Sequence, residues 1–494
     1  MTEDRGSLCL VLHSHMPYVE GFGTWPFGEE WLWEAVATVY LPLLELCREA
    51  PVTIGLTPVL CDQFEAMRGD AGERFAEFMR GTRAQIHAAD SEGLERTGHP
   101  ELAAEIRRAG TDYVHAEAEF ERHGRDLVGA FAALCEQGPG ELWTGPATHA
   151  LLPLLATTAG LHMQLASGSS SHTRRFGHPA RGLWLPECAY EPGVERDLAD
   201  HGVQAFCVDQ TGSLGLGSLD QLEPIQTEAG PVAVPIDWLS IELIWNERSG
   251  YPTAAAYRNS HKRTTYDLKP WDNAGRPYDH AAAIELAQRH AREFVEHSIA
   301  RLDSYRSERG RRGLLCCALD SELLGHWWYE GTHWLEAVVE ESERQGLELA
   351  SVSAALAETE AVARPLAPSS WGTPKDLSTW DSPPVAELAF ALRDAELRTV
   401  AATAELARTS GSERSRRHAI CERAARELLA LQASDWAFLV SRATASDYPE
   451  LRAAGHRESL DAALVALTDS DAEPVDPKLR HLAPDLDLSP LIAP

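Results

Sequence analysis

Short apolar runs recur along the chain, and most of them end in a polar or acidic residue. Helix-length segments lie between most of these runs, so the sequence alternates between strands and helices. This alternation predicts a parallel sheet, and the number of runs predicts a closed barrel of seven or eight strands with the polar residues on one face. The runs are residues 7–12, 52–60, 142–143, 182–185, 205–208, 232–236, 314–319 and 347–352.

Two long segments interrupt this alternation. Residues 63–136 are charged and have helical apolar spacing, which predicts a helical insertion lying over the barrel. Residues 384–468 are helical again and follow a Pro-Pro boundary, so we expect a catalytic domain over 1–383 and a C-terminal all-helical domain. The remaining residues, 469–494, are rich in Pro and Asp and are predicted to form an extended or partly disordered tail.

The net charge and the cysteine content limit the classes of partner and the cellular location that we expect. A formal net charge of -31, with no local basic patch, argues against nucleic acid and anionic membrane partners and favours a neutral substrate. Nine cysteines without metal-type spacing indicate a reducing, cytoplasmic environment. The first residues show no basic region followed by an apolar stretch, and no 18 apolar residues run together, so we expect neither export nor membrane insertion.

Asp320 follows the apolar run 314–319, and amphipathic helical sequence begins at Gly331. In parallel α/β folds the C-terminal ends of the strands face the active site, so this carboxylate is placed for chemistry. A lone aspartate at a strand end often caps the next helix or binds an arginine. His326, Trp327 and Trp328 lie in the same loop and favour a carbohydrate-cleaving pocket instead.

A second carboxylate comes from the segment Trp184-Leu-Pro-Glu187. Pro186 cannot donate a ladder hydrogen bond, so the strand is predicted to end there and Glu187 to emerge at the rim. A buried salt bridge is the structural alternative for this glutamate. Two rim carboxylates in an aromatic pocket are what glycoside hydrolysis requires, because one attacks or activates water and the other protonates the leaving oxygen.

The first strand ends in His13-Ser-His15, and alternation along a strand places both imidazoles on one face. One interpretation is a divalent-metal site, which Asp320, His149 or His326 would complete. Another is that the histidines hydrogen-bond sugar hydroxyls without a metal, and a third is a structural pair bonded to the backbone.

Five segments, in this order and at this approximate spacing, resemble the signature regions of glycoside hydrolase family 57. The resemblance covers nearly the whole chain, reaches Ser434-Asp-Trp436 in the helical domain, and is strongest to the 1,4-α-glucan branching enzymes of that family. The segments are His13-Ser-His-Met-Pro-Tyr18, Thr148-His149, Trp184-Leu-Pro-Glu-Cys-Ala-Tyr190, Ala318-Leu-Asp-Ser-Glu-Leu-Leu-Gly-His-Trp-Trp-Tyr-Glu-Gly331 and Ser369-Ser-Trp-Gly372.

The resemblance implies a distorted (β/α)7 barrel with a helical C-terminal domain, a retaining double displacement on α-1,4-glucan, and no cofactor or essential metal. Glu187 matches the nucleophile and Asp320 the general acid/base. The residues expected to bind the glucan are His13, His15, His149, Trp184, Arg258, His326, Trp327, Trp328, Trp371, Asp435 and Trp436.

The chain also departs from the branching-enzyme pattern. Those enzymes are expected to carry a long loop with a tyrosine at its tip that shields the glycosyl-enzyme from water, whereas residues 211–230 are short and lack any aromatic residue. A tryptophan-bearing segment after Gly250-Tyr-Pro252 is also abbreviated, with Trp271 as the candidate substitute. Losing a lid weakens water exclusion, so α-amylase-type hydrolysis is the alternative to branching. A metal-dependent hydrolase or deacetylase and a non-catalytic glucan-binding protein are the alternatives of other classes.

Overall fold

The computed structural model of the protein describes residues 5–468 and 479–492. Strands occupy short stretches of these residues, and the two long ones coincide with continuous apolar runs, as expected for strands buried on both faces. The described strands are β1 (Gly6–Ser14), β2 (Thr53–Leu56), β3 (Glu141–Trp143), β4 (Gly182–Leu183), β5 (Ala205–Val208), β6 (Ile225–Gln226), β7 (Val232–Pro235), β8 (Gly313–Asp320), β9 (Glu348–Leu349) and β10 (Val362–Ala363).

Helices make up most of the rest, and no helix of residues 5–468 or 479–492 has the length and apolarity needed to cross a membrane. The helices are α1 (Glu29–Ala35), α2 (Leu41–Leu46), α3 (Pro58–Ala66), α4 (Asp70–Glu77), α5 (Ala84–Arg96), α6 (Pro100–Arg122), α7 (Leu127–Gln137), α8 (Thr158–Phe176), α9 (Val194–Asp200), α10 (Thr211–Leu214), α11 (Trp238–Trp245), α12 (His280–Arg309), α13 (Gly331–Gln345), α14 (Val352–Glu358), α15 (Ala386–Ala404), α16 (Gly411–Leu431), α17 (Ser434–Arg442), α18 (Tyr448–Ala466) and α19 (Ser489–Ile492).

The strands form two sheets with mainly parallel pairing. One sheet has the order β3-β2-β1-β8, with β9 also paired to β1, and the other has the order β10-β6-β7-β5-β4. Only β6 and β7 run antiparallel among these described strand pairs. Single parallel bridges, Thr144 with Leu183 and Ile236 with Cys316, connect the two sheets. The protein therefore has a mixed α/β fold built on parallel strands, as the sequence predicts.

A strand overlaps each of the eight apolar runs. The run 52–60 is strand only as far as Leu56, because Pro58 begins α3 at a position where a missing N–H costs nothing. The two-residue strands β6 and β10 were not predicted, since two residues are too few to show any periodicity.

The two interrupting segments are helical in the structure. Helices α3 to α7 span 58–137 with short breaks, and Phe75, Phe78 and Met79 are buried in the large core that contains β1 and β8. Helices α15 to α18 share a second core with residues from the first half of the chain, among them Tyr18 and Met163.

Part of the predicted tail is described. Residues 469–478 and 493–494 lie outside the described residues. Residues 479–492 end in α19, which lies against α8 and α15, and their leucines at 479, 482, 488 and 491 are buried. This packed stretch differs from the extended tail expected from Pro and Asp content, because the recurring leucines supply enough apolar surface to bury.

Candidate active site

The ends of β1 and β8 bring the first predicted site residues together. His13 pairs in register with Asp320 across these two parallel strands. The His13 ring stacks on Trp184 at 4.7 Å between ring centroids, and its Nε2 lies 2.9 Å from Nε2 of His149. The His15 and His149 rings stack at 4.0 Å. The three predicted histidines therefore form one stacked cluster beside Asp320.

Glu187 stands in a short turn, Pro186–Cys188, just after β4. Its φ of 60° and the φ of 48° at Cys188 are both left-handed. Such angles are uncommon for residues other than glycine and cost on the order of 1–3 kcal/mol each. The turn is fixed from outside, because the backbone N–H of Trp371 donates to the carbonyl oxygen of Glu187 at 2.9 Å. A contact from another segment of the chain thus stabilises a strained backbone at this turn.

Two donors hold the Glu187 carboxylate. The indole Nε1–H of Trp371 donates to Oε2 at 3.0 Å, and the Ser434 hydroxyl contacts Oε1 at 3.4 Å. Burial raises the pKa of Glu187 to about 7 even though these donors, together with His15, favour the ionised form. Glu187 is therefore a buried carboxyl group. Its ionised form is stabilised by hydrogen bonds from Trp371 and Ser434, which lie on other segments of the chain.

Asp320 is shifted more strongly towards its neutral form. Burial raises the pKa of this carboxyl well above its ordinary value, and the nearby charges of Glu322 and Glu187 raise it further. The charge of an ionised Glu187 therefore opposes ionisation of Asp320. The pocket thus contains one carboxyl group favoured as an acid and another whose ionised form receives hydrogen bonds.

Glu322, two residues beyond Asp320, was not among the predicted site residues. It accepts a hydrogen bond from the backbone N–H of His15 at 3.1 Å and another from the Tyr40 hydroxyl. Burial raises the pKa of Glu322 to about 7, with these donors opposing the rise. The sequence did offer a signal for Glu322, because it is an acidic residue within the same motif as Asp320. Nothing local in the sequence indicates Tyr40.

The C-terminal helices supply one side of the pocket. Asp435 Oδ2, at the start of α17, lies 3.0 Å from His15 Nε2, and Ser434 Oγ lies 2.9 Å from His149 Nδ1. Burial lowers the pKa of His13 and His149 well below the usual value, so both rings are neutral. Burial also acts to lower the pKa of His15, but the charge and hydrogen bond of Asp435 outweigh it and raise it.

His15, His149 and Asp435 have donor atoms that all lie within 4.8 Å of one another, which is close enough to consider a metal ion. The two imidazole planes are nearly parallel, at 19°, so their in-plane lone pairs run side by side rather than converging. Each ring also uses its nitrogens in hydrogen bonds, including one between His15 Nδ1 and Thr57 Oγ1 at 3.1 Å. This geometry fits a hydrogen-bonding floor better than a set of metal ligands.

A cavity of about 1140 Å³ opens beside this cluster. Asp435, His326 and Trp327 are among its lining residues. Trp327 is 57% exposed, and burial lowers the pKa of His326 to about 4, so its imidazole is neutral. Exposed aromatic faces beside neutral polar groups suit a ligand with apolar ring faces and many hydroxyl groups.

Two predicted glucan-binding residues lie elsewhere. Trp328 is only 2% exposed and packs in the core on Trp334, because consecutive residues of this loop point in opposite directions. Trp436 is 1% exposed and donates its indole N–H to the carbonyl oxygen of Ala430 at 2.8 Å. Neither is among the lining residues of the cavity, and direct contact of either side chain with a glucan stays a prediction.

Arg258 lies in the cavity wall but has protein partners. Its guanidinium pairs with Glu105, donates to the Lys269 carbonyl oxygen at 3.2 Å, and lies 3.8 Å from the ring centroid of Tyr329. Trp271, the candidate substitute, is partly exposed with the Lys262 ammonium over its ring at 4.4 Å, and it is not among the lining residues of the cavity. The structure therefore associates Arg258 with the protein's own charges and places Trp271 outside the cavity.

The connection at 211–230 is compact. It contains α10, a short helical turn at Leu219–Leu222 and β6, and the sequence there has no aromatic residue. No long excursion with a tyrosine therefore emerges from this part of the described chain.

With this geometry in view, comparison with known proteins identifies the family. The model of "Glycosyl hydrolase family 57" matches residues 9–365, which include Glu187 and Asp320. The chain belongs to glycosyl hydrolase family 57. The C-terminal helices of this family 57 member match a second model, "1,4-alpha-glucan branching enzyme, C-terminal", over residues 395–484.

Relatives of this family 57 member agree with that match. A "probable 1,4-alpha-glucan branching enzyme" of Mycobacterium tuberculosis is 33% identical over 91% of this chain and 90% of its own length. The GH57-type branching enzyme of Pyrococcus horikoshii has a crystal structure with TM-score 0.88 and 29% identity, covering 99% of this chain and 97% of that one. A GH57 branching enzyme of Thermococcus kodakaraensis, solved with glucose, has TM-score 0.89 and 27% identity at the same coverages.

Proposed function

We propose that this family 57 member is a retaining α-1,4-glucan branching enzyme in which Glu187 is the nucleophile and Asp320 is the general acid/base. The observation that carries the proposal is the contrast between the two carboxyl groups of one pocket. Glu187 receives hydrogen bonds from Trp371 and Ser434, which favour the ion, whereas burial and two neighbouring charges favour the neutral acid at Asp320.

The reaction follows from these states. The ionised Glu187 attacks the anomeric carbon of a glucosyl residue while Asp320 gives its proton to the departing glycosidic oxygen. The glycosyl-enzyme ester forms and the α-1,4 bond breaks. Asp320, now ionised, then takes the proton from an acceptor 6-hydroxyl, whose oxygen attacks the same anomeric carbon; the bond from that carbon to Glu187 breaks, the α-1,6 bond forms, and both carboxyl groups return to their starting states. Two inversions at one carbon give net retention.

The stacked histidines and Asp435 are proposed to hold the sugar beside the cleaved bond. His13 and His149 are neutral, their Nε2 atoms lie 2.9 Å apart, and His149 Nδ1 contacts Ser434, so a sugar hydroxyl that binds these rings replaces one of those contacts. The cavity lined by Trp327 and His326 is proposed to receive the rest of the glucan. Trp184 supports the floor by stacking on His13 and meets Trp371 edge-on at 5.1 Å between centroids.

Branching is proposed over α-amylase-type hydrolysis because the relatives named above are branching enzymes and the branching-enzyme C-terminal model matches 395–484. Hydrolysis is kept as the second candidate on one observation. The compact 211–230 connection carries no tyrosine lid, and a more open pocket admits water to the glycosyl-enzyme.

We further infer that β1, β2, β3, β4, β5, β7 and β8 close into a distorted (β/α)7 barrel within a catalytic domain of residues 1–383, followed by a helical domain over 384–468. The two single bridges between the sheets support closure. A cytoplasmic location is proposed because all nine cysteines are free thiols.

The test follows both products of amylose. New α-1,6 signal in the proton NMR spectrum, with little net rise in reducing ends until isoamylase is added, is the expected result. Rising reducing ends without α-1,6 signal would establish hydrolysis instead.

Variants test the two assignments. Glu187→Gln and Asp320→Asn are each expected to lose at least about a thousandfold in kcat on amylose, because each removes a group that acts on the reacting atoms. The matched control is Glu191→Gln, an exposed glutamate four positions from Glu187, which is expected to retain activity. Full activity in either active-site variant would refute the assignment.

A further inference from the structure

The end of β5 carries two buried polar residues, Asp209 and Gln210, that have no role in the reaction described above. Both hold the segment at 367–375, which contains Trp371. The Gln210 amide donates to the Ala367 carbonyl oxygen at 2.9 Å and accepts from the Ala367 N–H at 2.9 Å. The Asp209 carboxylate is paired with the Lys375 ammonium. The segment is therefore anchored at both of its ends.

The ammonium group of Lys375 lies in a partly buried position, where desolvation disfavours its charge. Besides Asp209, its Nζ donates to the carbonyl oxygen of Trp371 at 3.0 Å and lies 3.1 Å from the ring centroid of Trp238. Its backbone φ of 75° is left-handed. Burial lowers the pKa of Lys375, and the charge and hydrogen bond of Asp209 oppose that effect. A half-buried lysine with strained backbone and three defined partners is held in one geometry.

This geometry continues to the nucleophile. Trp371, whose carbonyl oxygen accepts from Lys375, contacts Glu187 twice, through its backbone N–H to the Glu187 carbonyl oxygen and through its indole N–H to the carboxylate. Contacts between named atoms thus run from Asp209 through Lys375 and Trp371 to Glu187. The other carboxylate oxygen of Glu187 accepts from the hydroxyl of Ser434, which lies on α17.

We propose that Lys375 is a positioning residue for the nucleophile: its bonds to Asp209 and to the Trp371 carbonyl oxygen keep the Trp371 indole N–H on the Glu187 carboxylate. The inference rests on the proposed function, in which Glu187 attacks the sugar. Lys375 itself does not touch the sugar. It acts by fixing the residue that stabilises the ionised nucleophile.

The test uses α-maltosyl fluoride, because fluoride leaves with the electron pair of the C–F bond and needs no proton from Asp320. The carboxylate oxygen of Glu187 forms the new bond to the anomeric carbon. The pH dependence of kcat/KM for fluoride release therefore reports the ionisation of Glu187 without that of the acid. The purified full-length protein is used throughout.

Lys375→Met is expected to lower kcat/KM at pH 6 by about tenfold, since the indole hydrogen bond to a charged group is weakened. The rise of kcat/KM with pH should move to higher pH, because the ionised nucleophile is less stabilised. Trp371→Phe should do the same, and the Lys375→Met/Trp371→Phe double variant should match Trp371→Phe alone. Lys375→Arg, which keeps the charge, should recover part of the loss.

Arg301→Met is the matched control. Arg301 is another buried cation paired with an aspartate, Asp237, which follows β7. Its loss is expected to lower the melting temperature without moving the pH profile, because among the described residues its guanidinium bonds to Asp237 and to the carbonyl oxygens of Gly217 and Ser218, and not to Lys375, Trp371 or Glu187. Asp209→Asn is the second test variant, with the shift expected of Lys375→Met, and is used if that variant does not fold.

Two results would overturn the inference. One is a pH profile of Lys375→Met, or of Asp209→Asn, that coincides with that of the unsubstituted protein. The other is a double variant whose losses add. If the unsubstituted protein releases no fluoride, the proposed function fails first, so the two failures are distinguishable.

Discussion

At the scale of single residues, Glu187 lowers the stability of the folded state. It combines a left-handed φ of 60° with a carboxyl group whose pKa is raised by burial to about 7 from its ordinary 4.5. A carboxyl group with a raised folded pKa binds its proton more tightly in the folded state. Its ionisation therefore destabilises the fold above pH 7, and the effect disappears as pH falls below the unfolded pKa.

Glu187→Gln should for this reason increase the free energy of unfolding at pH 8 by roughly 1–3 kcal/mol, since one unit of pKa shift corresponds to about 1.4 kcal/mol. The gain should shrink towards zero near pH 4, where the native glutamate is protonated as well. Thermal unfolding between pH 4 and 8 measures it, with exposed Glu191→Gln as the control. A pH-independent difference would show that the ionised carboxylate is not the cause.

Glu322→Gln should lower the pKa of Asp320, the proposed general acid. The Glu322 charge raises the pKa of Asp320, and Asp320 donates only while protonated, so activity is lost as pH rises through its pKa. Removing the charge lowers that pKa and moves the alkaline limb for amylose to lower pH, while the amide can still accept from the His15 N–H. With α-maltosyl fluoride, which needs no acid, kcat/KM should show no alkaline limb from Asp320 and therefore no such shift. Equal shifts with both substrates would contradict the explanation.

The sequence identified the residues that stand at strand ends inside recognisable motifs. His13, His15, Glu187 and Asp320 are all brought together in the structure. Tyr40 and Thr57 were missed, because each reaches the pocket from another element through a contact that has no local pattern. Ser434 lies in the recognised segment Ser434-Asp-Trp436, but its bond to Glu187 was not predicted. The sequence also does not reveal which of two adjacent loop residues faces inward, and of Trp327 and Trp328 only Trp327 is exposed.

At the scale of elements, the contact between α15 and α8 depends on one carboxylate. Glu396 of α15 is 0% exposed and accepts from the N–H groups of Ala156 and Thr157 at 3.0 and 2.7 Å. It also accepts from the Thr157 hydroxyl at 2.6 Å and from the Gln432 amide at 3.0 Å. The start of α8 is thus satisfied by a side chain from the C-terminal helices.

Glu396→Gln is expected to lower the free energy of unfolding by about 2–4 kcal/mol, because the new amide NH₂ faces donors that it cannot accept from. Differential scanning calorimetry measures the loss. Glu387→Gln, an exposed glutamate on the same helix, should change stability by less than about 0.5 kcal/mol. Similar melting temperatures for the two variants would show that the Glu396 contacts contribute little.

The elements themselves were largely predictable. The boundary of α13, Gly331–Gln345, coincides with the amphipathic stretch, and strands overlap all eight apolar runs. The bonds of Glu396 were not predictable, because a buried glutamate on α15 has the same local sequence signature as an exposed one.

At the scale of the whole molecule, the net charge of -31 surrounds a site proposed for a neutral polymer. Exposed charges act on a charged ligand over about 10 Å at 0.1 M salt, but they exert no net attraction on a neutral one. The charge therefore selects against anionic polysaccharides.

Raising the ionic strength from about 0.02 to about 0.2 M should leave the KM for amylose within about twofold, because that glucan is uncharged. For a phosphorylated glucan of equal length, KM should be higher at low salt and should fall as salt screens the repulsion. Initial-rate measurements on both substrates provide the comparison. An amylose KM that changes as strongly as the phosphorylated one would contradict this account.

His15 and Asp435 are joined by a hydrogen bond across 420 positions of sequence. A chain is synthesised from its N-terminus. The hydrogen bond between His15 and Asp435 can therefore form only after more than four-fifths of the polypeptide has been made. The pocket is consequently completed only near the end of translation, and a nascent chain that stops short of α17 leaves the ribosome without a finished glucan site.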